Sequence, residues 1–437
     1  MDSIYLNNYK DFAAKAKSYA SQFQPCAILD SCEIKPQLDK GNYKLVIGYS
    51  GKKLKVSEVN QIDSLYSVWE KNKSWIFGVL GYNLKNEIEK LSSDNTNCFG
   101  WPNLSFFSPE TVITVNWNDE LKILGVNSDT IFNTINNFKA FQEFDNTINC
   151  GSILNSDFNS EGHKDIILEI KDEIINGNVY ELNFCSRFLY DKISLKNPYQ
   201  LYEELIKISP APFSCYLSLG NKYVLSASPE RYLKKDDTSL ISQPIKGTRP
   251  RGKTIAEDET FQMDLESNLK DRAENVMIVD LVRNDMARIA KAGSVKVEEL
   301  FGLYSYSHVH QLVSTVSSLL SENNTWCDAI KATFPMGSMT GAPKIASMKW
   351  IEKFEMSNRE WYSGGFGYID PNGNMDFNVL IRSIFYDSHI QKLAYYAGGA
   401  ITIDSECEQE YHEMIVKAEA MNYLLTKHIK NMGSLEA

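Results

Sequence analysis

No stretch of the 437-residue chain approaches the roughly 18 uninterrupted apolar residues of a membrane-spanning helix. The start, Met1-Asp2-Ser3-Ile4-Tyr5-Leu6-Asn7-Asn8, has neither the basic residues nor the apolar run of a secretory signal. A cytoplasmic protein with no membrane partner is expected. The eight cysteines (Cys26, Cys32, Cys98, Cys150, Cys185, Cys215, Cys327 and Cys407) include no C-x-x-C pair, which argues against a zinc knuckle or a disulfide framework. They read as reduced packing residues. Positive charge is the scarcer sign: Lys+Arg 45 against Asp+Glu 56 leaves a net charge of −11, which disfavours nucleic acid or an anionic membrane as partner. An anionic ligand must then draw positive charge from a local cluster or from a metal ion. Internal repeats and low-complexity tracts are absent as well.

What is present is ordinary globular material, 43% hydrophobic and 23% charged, in a chain long enough for two or three domains or one large composite core. Residues 1–150 mix β-type runs such as Tyr43 to Tyr49 with helical pattern from Val56 to Lys71. An Asn-, Asp- and Ser-rich stretch from Asn127 to Ser160, with a helical piece inside, reads as a soft boundary. Residues 151–437 are more strongly patterned. Ile166, Ile167, Ile170 and Ile174 form a helical stripe that Gly177 can close. In the strand that follows, Tyr180, Leu182, Phe184, Phe188 and Tyr190 share one face, and Glu181, Asn183 and Arg187 share the other. That polar face either meets solvent or lines a cavity.

Acidic residues recur at helical spacing. Asp271 and Glu274 lie three apart in the second of two helices expected between Asp258 and Ala292. Glu410 and Glu413 lie three apart in a helix expected from Cys407 to Leu424. Such pairs usually form a solvated face; two pairs together could hold one hard divalent ion such as Mg²⁺, which takes one or two carboxylates along with water and substrate oxygens. Three segments are rich in Gly and Pro. Pro244-Ile245-Lys246-Gly247-Thr248-Arg249-Pro250 fixes a lysine in a rigid turn, with a hydroxyl two residues on. Lys246 is either a nucleophile or part of an anion patch with Arg249, Arg251 and Lys253. Phe334 to Lys344 runs into a helix with small residues before it and no Walker spacing, so Thr340, Gly341 and Lys344 could cradle an anion. Ala397-Gly398-Gly399-Ala400 reads as a further backbone cradle before the acidic helix. Two anion cradles without a nucleotide fingerprint point to a small ligand carrying two carboxylates.

These segments, in this order, resemble the chorismate-utilising enzymes, and within them component I of the aminodeoxychorismate synthases. The markers are Ser228-Pro229-Glu230-Arg231, the Pro-Ile-Lys-Gly-Thr turn, Ala273-Glu274-Asn275 followed by Asp280 to Asp285, and Gly341-Ala342-Pro343-Lys344, over about residues 165–425. The resemblance implies an α+β fold in which two large antiparallel β-sheets form a sandwich with helices packed outside and the site between them. It also implies amination of chorismate at C4, because a lysine at the position of Lys246 is common in the aminating synthases whereas anthranilate, isochorismate and salicylate synthases usually carry alanine.

By the same resemblance Lys246 attacks ring carbon C2, Glu230 protonates the departing 4-hydroxyl, Thr248 assists in the same turn, and ammonia then expels the lysine. The nucleophilic role requires the site to lower the pKa of Lys246, with bound Mg²⁺ as the nearby cation that would disfavour the ammonium form. Glu274 and Glu413 match Mg²⁺ ligands, with Asp271 and Glu410 in support. Arg382 and Tyr362 match residues that grip the enolpyruvyl carboxylate. Gly398 and the Thr340-Gly341 turn complete the carboxylate cradles. Two positions depart from the pattern: Glu181 stands where aminating members usually have glutamine and water-adding members lysine, and Gln311 stands where many carry histidine. No Cys-His-Glu glutaminase constellation is present, so ammonia is expected from a separate glutamine amidotransferase subunit. An anthranilate-synthase-like lyase and a chorismate-binding relative without turnover are the alternatives.

Overall fold

The computed structural model describes residues 4–35, 38, 41–141, 148–151, 154–306 and 309–430. Strands with apolar residues on both faces assemble into two antiparallel sheets. The first runs, in spatial order, through Ile4–Tyr5, Glu120–Leu124, Leu104–Val115, Leu45–Lys53, Cys26–Asp30, Ser214–Leu219, Lys222–Ser226, Ser383–Asp387, Lys392–Ile401 and Glu181–Asp191. The second runs through Ile76–Leu80, Gly365–Ile369, Met375–Val379, Arg231–Asp236 and Ser239–Gln243 to Val309–Leu319, which also carries Ile245–Pro250 and Lys296–Ser305. Leu104–Val115 belongs to both: its end pairs with Leu45–Lys53 and its beginning with Ile76–Leu80. The fold is the α+β sandwich that the resemblance implied, and residues before 150 add strands to each sheet.

Burial explains the layering. Phe77, Phe106, Leu217, Phe366 and Phe377 belong to one buried cluster that fills the space between the sheets. Fully burying one such side chain is worth about 1.5–3 kcal/mol. A second cluster lies under the helices Tyr9–Ala20, Pro198–Ile208 and Cys407–His428, through Phe12, Ala16, Leu201, Leu205, Met414 and Leu424. A third packs Ile167 and Ile170 of the helix Ser160–Ile175, and Ile351 and Phe354 of the helix Lys344–Phe354, against Leu182 and Phe184. The strand Glu181–Asp191 is therefore buried on both faces, and its polar side is turned inward.

Several local expectations shift. The helix read from Val56 begins at Gln61, while the helical piece expected in the boundary stretch is present as the helix Ser128–Asn137, with residues 142–147 and 152–153 outside those described. Gly398 and Gly399 lie in mid-strand rather than in a turn, paired with Cys185 and Phe184. A Cβ on Gly398 would stand 2.0 Å from the carbonyl oxygen of Phe184, so only glycine allows this strand approach. The acidic region from Ile255 divides at Asn268, whose side chain accepts the Asp271 N–H and starts the helix Leu269–Ala287. All eight cysteines are free thiols. No helix among the described residues is long and apolar enough to cross a membrane.

Candidate active site

A cavity of about 1070 Å³ opens between the two sheets. The second sheet supplies Lys246, Thr248 and Gln311, the first supplies Asn183, Tyr396 and Gly398, and Arg382 stands just before the strand Ser383–Asp387. The helices Leu269–Ala287 and Cys407–His428 close it with Asp271, Glu274 and Glu413. Residues from widely separated parts of the sequence thus face one space. The cations Lys246, Arg249, Lys270, Arg382 and Lys417 line it, and they are the local positive charge that an acidic chain needs for an anionic ligand.

Lys246 sits in the strand Ile245–Pro250, where the pairing to Val309–Leu319 shifts register between Ile245 and Thr248. The residue after it makes the bend possible: Gly247 has φ +91°, and a Cβ there would come 2.9 Å from Leu265. The lysine is buried, and its Nζ donates to Glu181 Oε1 at 2.8 Å. Burial pushes its pKa down, but Glu181, Glu274 and Glu230 outweigh burial and raise it above the ordinary lysine range. These carboxylates favour the ammonium form of Lys246.

Glu230, buried beside Ser228-Pro229, has its carboxyl pushed up to about 7 by burial, against a 2.5 Å hydrogen bond from Ser338 Oγ and the charge of Lys246. A carboxyl that holds its proton near neutrality is suited to a general acid. Arg382 has a left-handed backbone (φ 51°), and its guanidinium forms no ion pair or hydrogen bond with any described side chain. Burial lowers its pKa without neutralising it. An unpaired guanidinium in a cavity wall is costly unless a ligand anion completes it. Tyr362 lines the wall nearby, stacked on Tyr396 at 4.8 Å, with its hydroxyl 3.4 Å from Cys185 Sγ.

The four carboxylates divide. Glu274 and Glu413 line the cavity from separate helices, as does Asp271, while Glu410 does not reach the wall. Asp271 is held by Arg249 at 2.9 Å, Glu410 by Lys270 at 2.7 Å, and Glu413 by Lys417 at 2.6 Å. Burial raises Glu274 to about 7, whereas Lys417 lowers Glu413. Among the described residues no three His, Cys, Asp or Glu side chains cluster as a metal cage. Two hard oxygen donors facing one cavity nevertheless fit Mg²⁺, which keeps water and substrate oxygens for its remaining positions.

The remaining expected residues sit elsewhere. Thr340 is fully buried and donates to the carbonyls of Met336 and Gly337. Gly341 pairs with Leu182, where a Cβ would meet the Glu181 carbonyl at 2.1 Å. Lys344 is bound to Asp285 at 2.8 Å and to the Thr333 carbonyl at 3.0 Å. None of these three lines the cavity, so the expected second cradle is a packing element: its lysine is consumed by a neighbouring carboxylate. Glu181 also lies behind the wall, against Lys246, and not at the ligand surface. Gln311 does line it, with Oε1 buried and unpartnered, and pairs in register with Thr248. Sequence reasoning overlooked Lys270, Lys417, Ser338 and Tyr396; the two lysines stand four residues from Glu274 and Glu413, a spacing that could have revealed them. Arg359, also overlooked, donates to the carbonyls of Met339 and Asn183 and so fixes two wall residues.

Comparison with known proteins gives the family. An anthranilate synthase component I-like protein of Synechocystis sp. is 34% identical over 355 residues, 79% of this chain and 71% of that protein. Anthranilate synthase component 1 of Saccharolobus solfataricus is 33% identical over 351 residues, 80% of each chain. The aminodeoxychorismate synthase of Streptomyces griseus is 42% identical over 266 residues, 61% of this chain but only 36% of that protein. In fold, the chain superimposes on the crystal structure of anthranilate synthase component I from Streptococcus pneumoniae with TM-score 0.76 at 24% identity, over 89% of this chain and 95% of that one. The profile of the family described as chorismate binding enzyme matches residues 24–423, and with the cavity, its cations and its carboxylates in place, the protein belongs to the chorismate binding enzymes.

Proposed function

We propose that the protein aminates chorismate at C4 to give 4-amino-4-deoxychorismate, as an aminodeoxychorismate synthase component I. One observation carries the reading: Lys246 lines the cavity that also holds Glu230 and Arg382, at the position where the aminating synthases carry lysine. Arg382, with Tyr362 beside it, takes the enolpyruvyl carboxylate. Glu230 protonates the 4-hydroxyl, which is otherwise a poor leaving group. Lys246 forms the transient bond to C2, and Thr248 and Gln311 line the adjoining wall. Glu274 and Glu413 would hold Mg²⁺, with Asp271 and Glu410 in support, and the ion would supply positive charge to the ring carboxylate. Ammonia comes from a separate glutamine amidotransferase subunit, a reading supported by relatives named as component 1. A place in para-aminobenzoate and folate biosynthesis, in the cytoplasm, follows from that product.

A second reading has its own support. The relatives that share the larger part of their length with this chain are named anthranilate synthases. Incubating the protein with chorismate, Mg²⁺ and ammonium and identifying the product separates the two: 4-amino-4-deoxychorismate supports the first, anthranilate the second, and a rise in melting temperature with chorismate but no product indicates a binding protein without turnover.

A further inference from the structure

An ammonium cannot attack carbon, so a lysine held in its charged form needs a proton acceptor in contact with it. Among the described residues Glu181 is in hydrogen-bond contact with Lys246 Nζ, at 2.8 Å. It is 1% exposed as against 9% for the lysine side chain, so the carboxylate meets Nζ on the side turned away from the cavity. The other carboxylates around Nζ, on the neighbouring elements, are Glu230, Glu274 and Glu413. Glu230 is the proton donor for the hydroxyl, and Glu274 and Glu413 face the proposed metal. Glu181 has no such second duty.

The carboxylate is also rigidly placed. Its residue begins the strand Glu181–Asp191, pairs with Ala342, and accepts a hydrogen bond on its carbonyl from Ser347 Oγ at 3.1 Å. Oε1 faces Nζ, while Oε2 is buried with no hydrogen-bond partner among the described residues. Oε1 is therefore the oxygen placed to receive a proton from Nζ. A glutamine at this position could accept the lysine hydrogen bond but could not take the proton.

We propose that Glu181 is the general base for Lys246, taking a proton from Nζ as the lysine bonds to the ring and returning it when the lysine leaves. The proposal rests on the amination reading above. In the first half, one Nζ proton passes to Glu181 and the Nζ electron pair bonds to C2. The ring double bonds shift from C1=C2 and C5=C6 to C1=C6 and C4=C5, and the C4–O bond breaks, the oxygen leaving as water with the Glu230 proton. In the second half ammonia bonds to C4, the double bonds shift back, and Nζ leaves C2 with its electron pair and recovers its proton from Glu181. The new C4 ammonium gives a proton back to Glu230. Chorismate and ammonia enter, and aminated product and water leave.

The test is the rate at which a ring adduct appears on the full chain, by intact mass after rapid quenching, with chorismate and Mg²⁺ but no ammonia, from pH 6 to pH 9. Glu181→Gln, which keeps the shape, should form the adduct on the order of 100-fold more slowly at pH 7. The deficit should narrow as pH rises and hydroxide replaces the missing base. Glu181→Asp, a carboxylate drawn back by one methylene, should fall between. Adduct formation by Glu181→Gln at the wild-type rate at pH 7, or faster, overturns the proposal. If the glutamine variant does not fold, the aspartate variant decides, since a wild-type rate with the carboxylate withdrawn is equally fatal. Failure of the underlying reading looks different: the wild-type protein forms no adduct, and Lys246→Ala still aminates chorismate.

Discussion

Two lysines in this chain look alike in sequence, each in a stretch rich in Gly and Pro, and they do opposite jobs. Both are buried and both touch a carboxylate at 2.8 Å. Lys344 gives its ammonium to Asp285 and to the Thr333 carbonyl, away from the cavity, in a pair that ties the helix Lys344–Phe354 to the helix Leu269–Ala287. Lys246 has Glu181 as its hydrogen-bond partner, that partner is itself half unsatisfied, and the lysine borders open space with three more carboxylates around it. A buried charge whose bonds are complete holds structure; one whose surroundings are left incomplete is prepared for a ligand.

The comparison breaks most clearly by substitution. Lys246→Ala should reduce 4-amino-4-deoxychorismate formation by more than about 10³-fold, as removal of a nucleophile does, and it also leaves Glu181 buried without its partner. Lys344→Ala leaves Asp285 buried and unpaired, at a cost of about 3–5 kcal/mol, which is read as a lowered urea midpoint, while product formation by the folded fraction stays near wild type. Equal losses of product formation by the two folded variants would erase the distinction drawn between them.

The carboxylates sharpen it next. Glu274→Gln and Glu413→Gln should each weaken the Mg²⁺ dependence of turnover by more than about tenfold, in a titration of rate against Mg²⁺, while melting temperature stays near wild type. Normal turnover of both variants at limiting Mg²⁺ removes the metal assignment. Arg382→Lys keeps the charge but loses the two-donor fork, so the KM for chorismate should rise about tenfold, equivalent to about 1.4 kcal/mol. An unchanged KM places Arg382 outside the binding site.

The smallest effect is a slope of stability with pH. Glu230 is raised to about 7 from its ordinary value of 4.5. Between those values the folded protein holds a proton that the unfolded chain has lost, so this group's contribution falls as pH rises from about 4.5 through about 7. Glu230→Gln should flatten that part of the urea midpoint against pH, gaining relative stability at about pH 8 while losing turnover. An unaltered slope would show that the carboxyl is not desolvated as described.

How much of this was legible in the residues follows from the range of each interaction. The helix Ser160–Ile175 and the strand after it were readable because their apolar residues repeat at about 3.6 and 2 positions, and Gly177 stops the helix with φ +77°. The spacing of Asp271 with Glu274, and of Glu410 with Glu413, marked the two acidic helices. Spacing did not tell that Glu410 turns to Lys270 and away from the cavity wall, because that depends on a helix 140 residues distant. The Gly398-Gly399 pair reaches the cavity wall at Gly398, but from mid-strand. Glycine permits a turn, but here it admits a neighbouring strand, and composition cannot separate these uses.

Family, the sandwich of sheets and the residue types that do chemistry were all written in the order of the residues, because motifs and periodicities are local along the chain. Which charges neutralise one another was settled by folding. It brought Glu181 against Lys246 across 65 positions, joined Lys344 to Asp285, and left Arg382 in the wall without a partner among the described residues. Charges act through space, and the dielectric that sets their strength is made by burial, which no stretch of sequence contains.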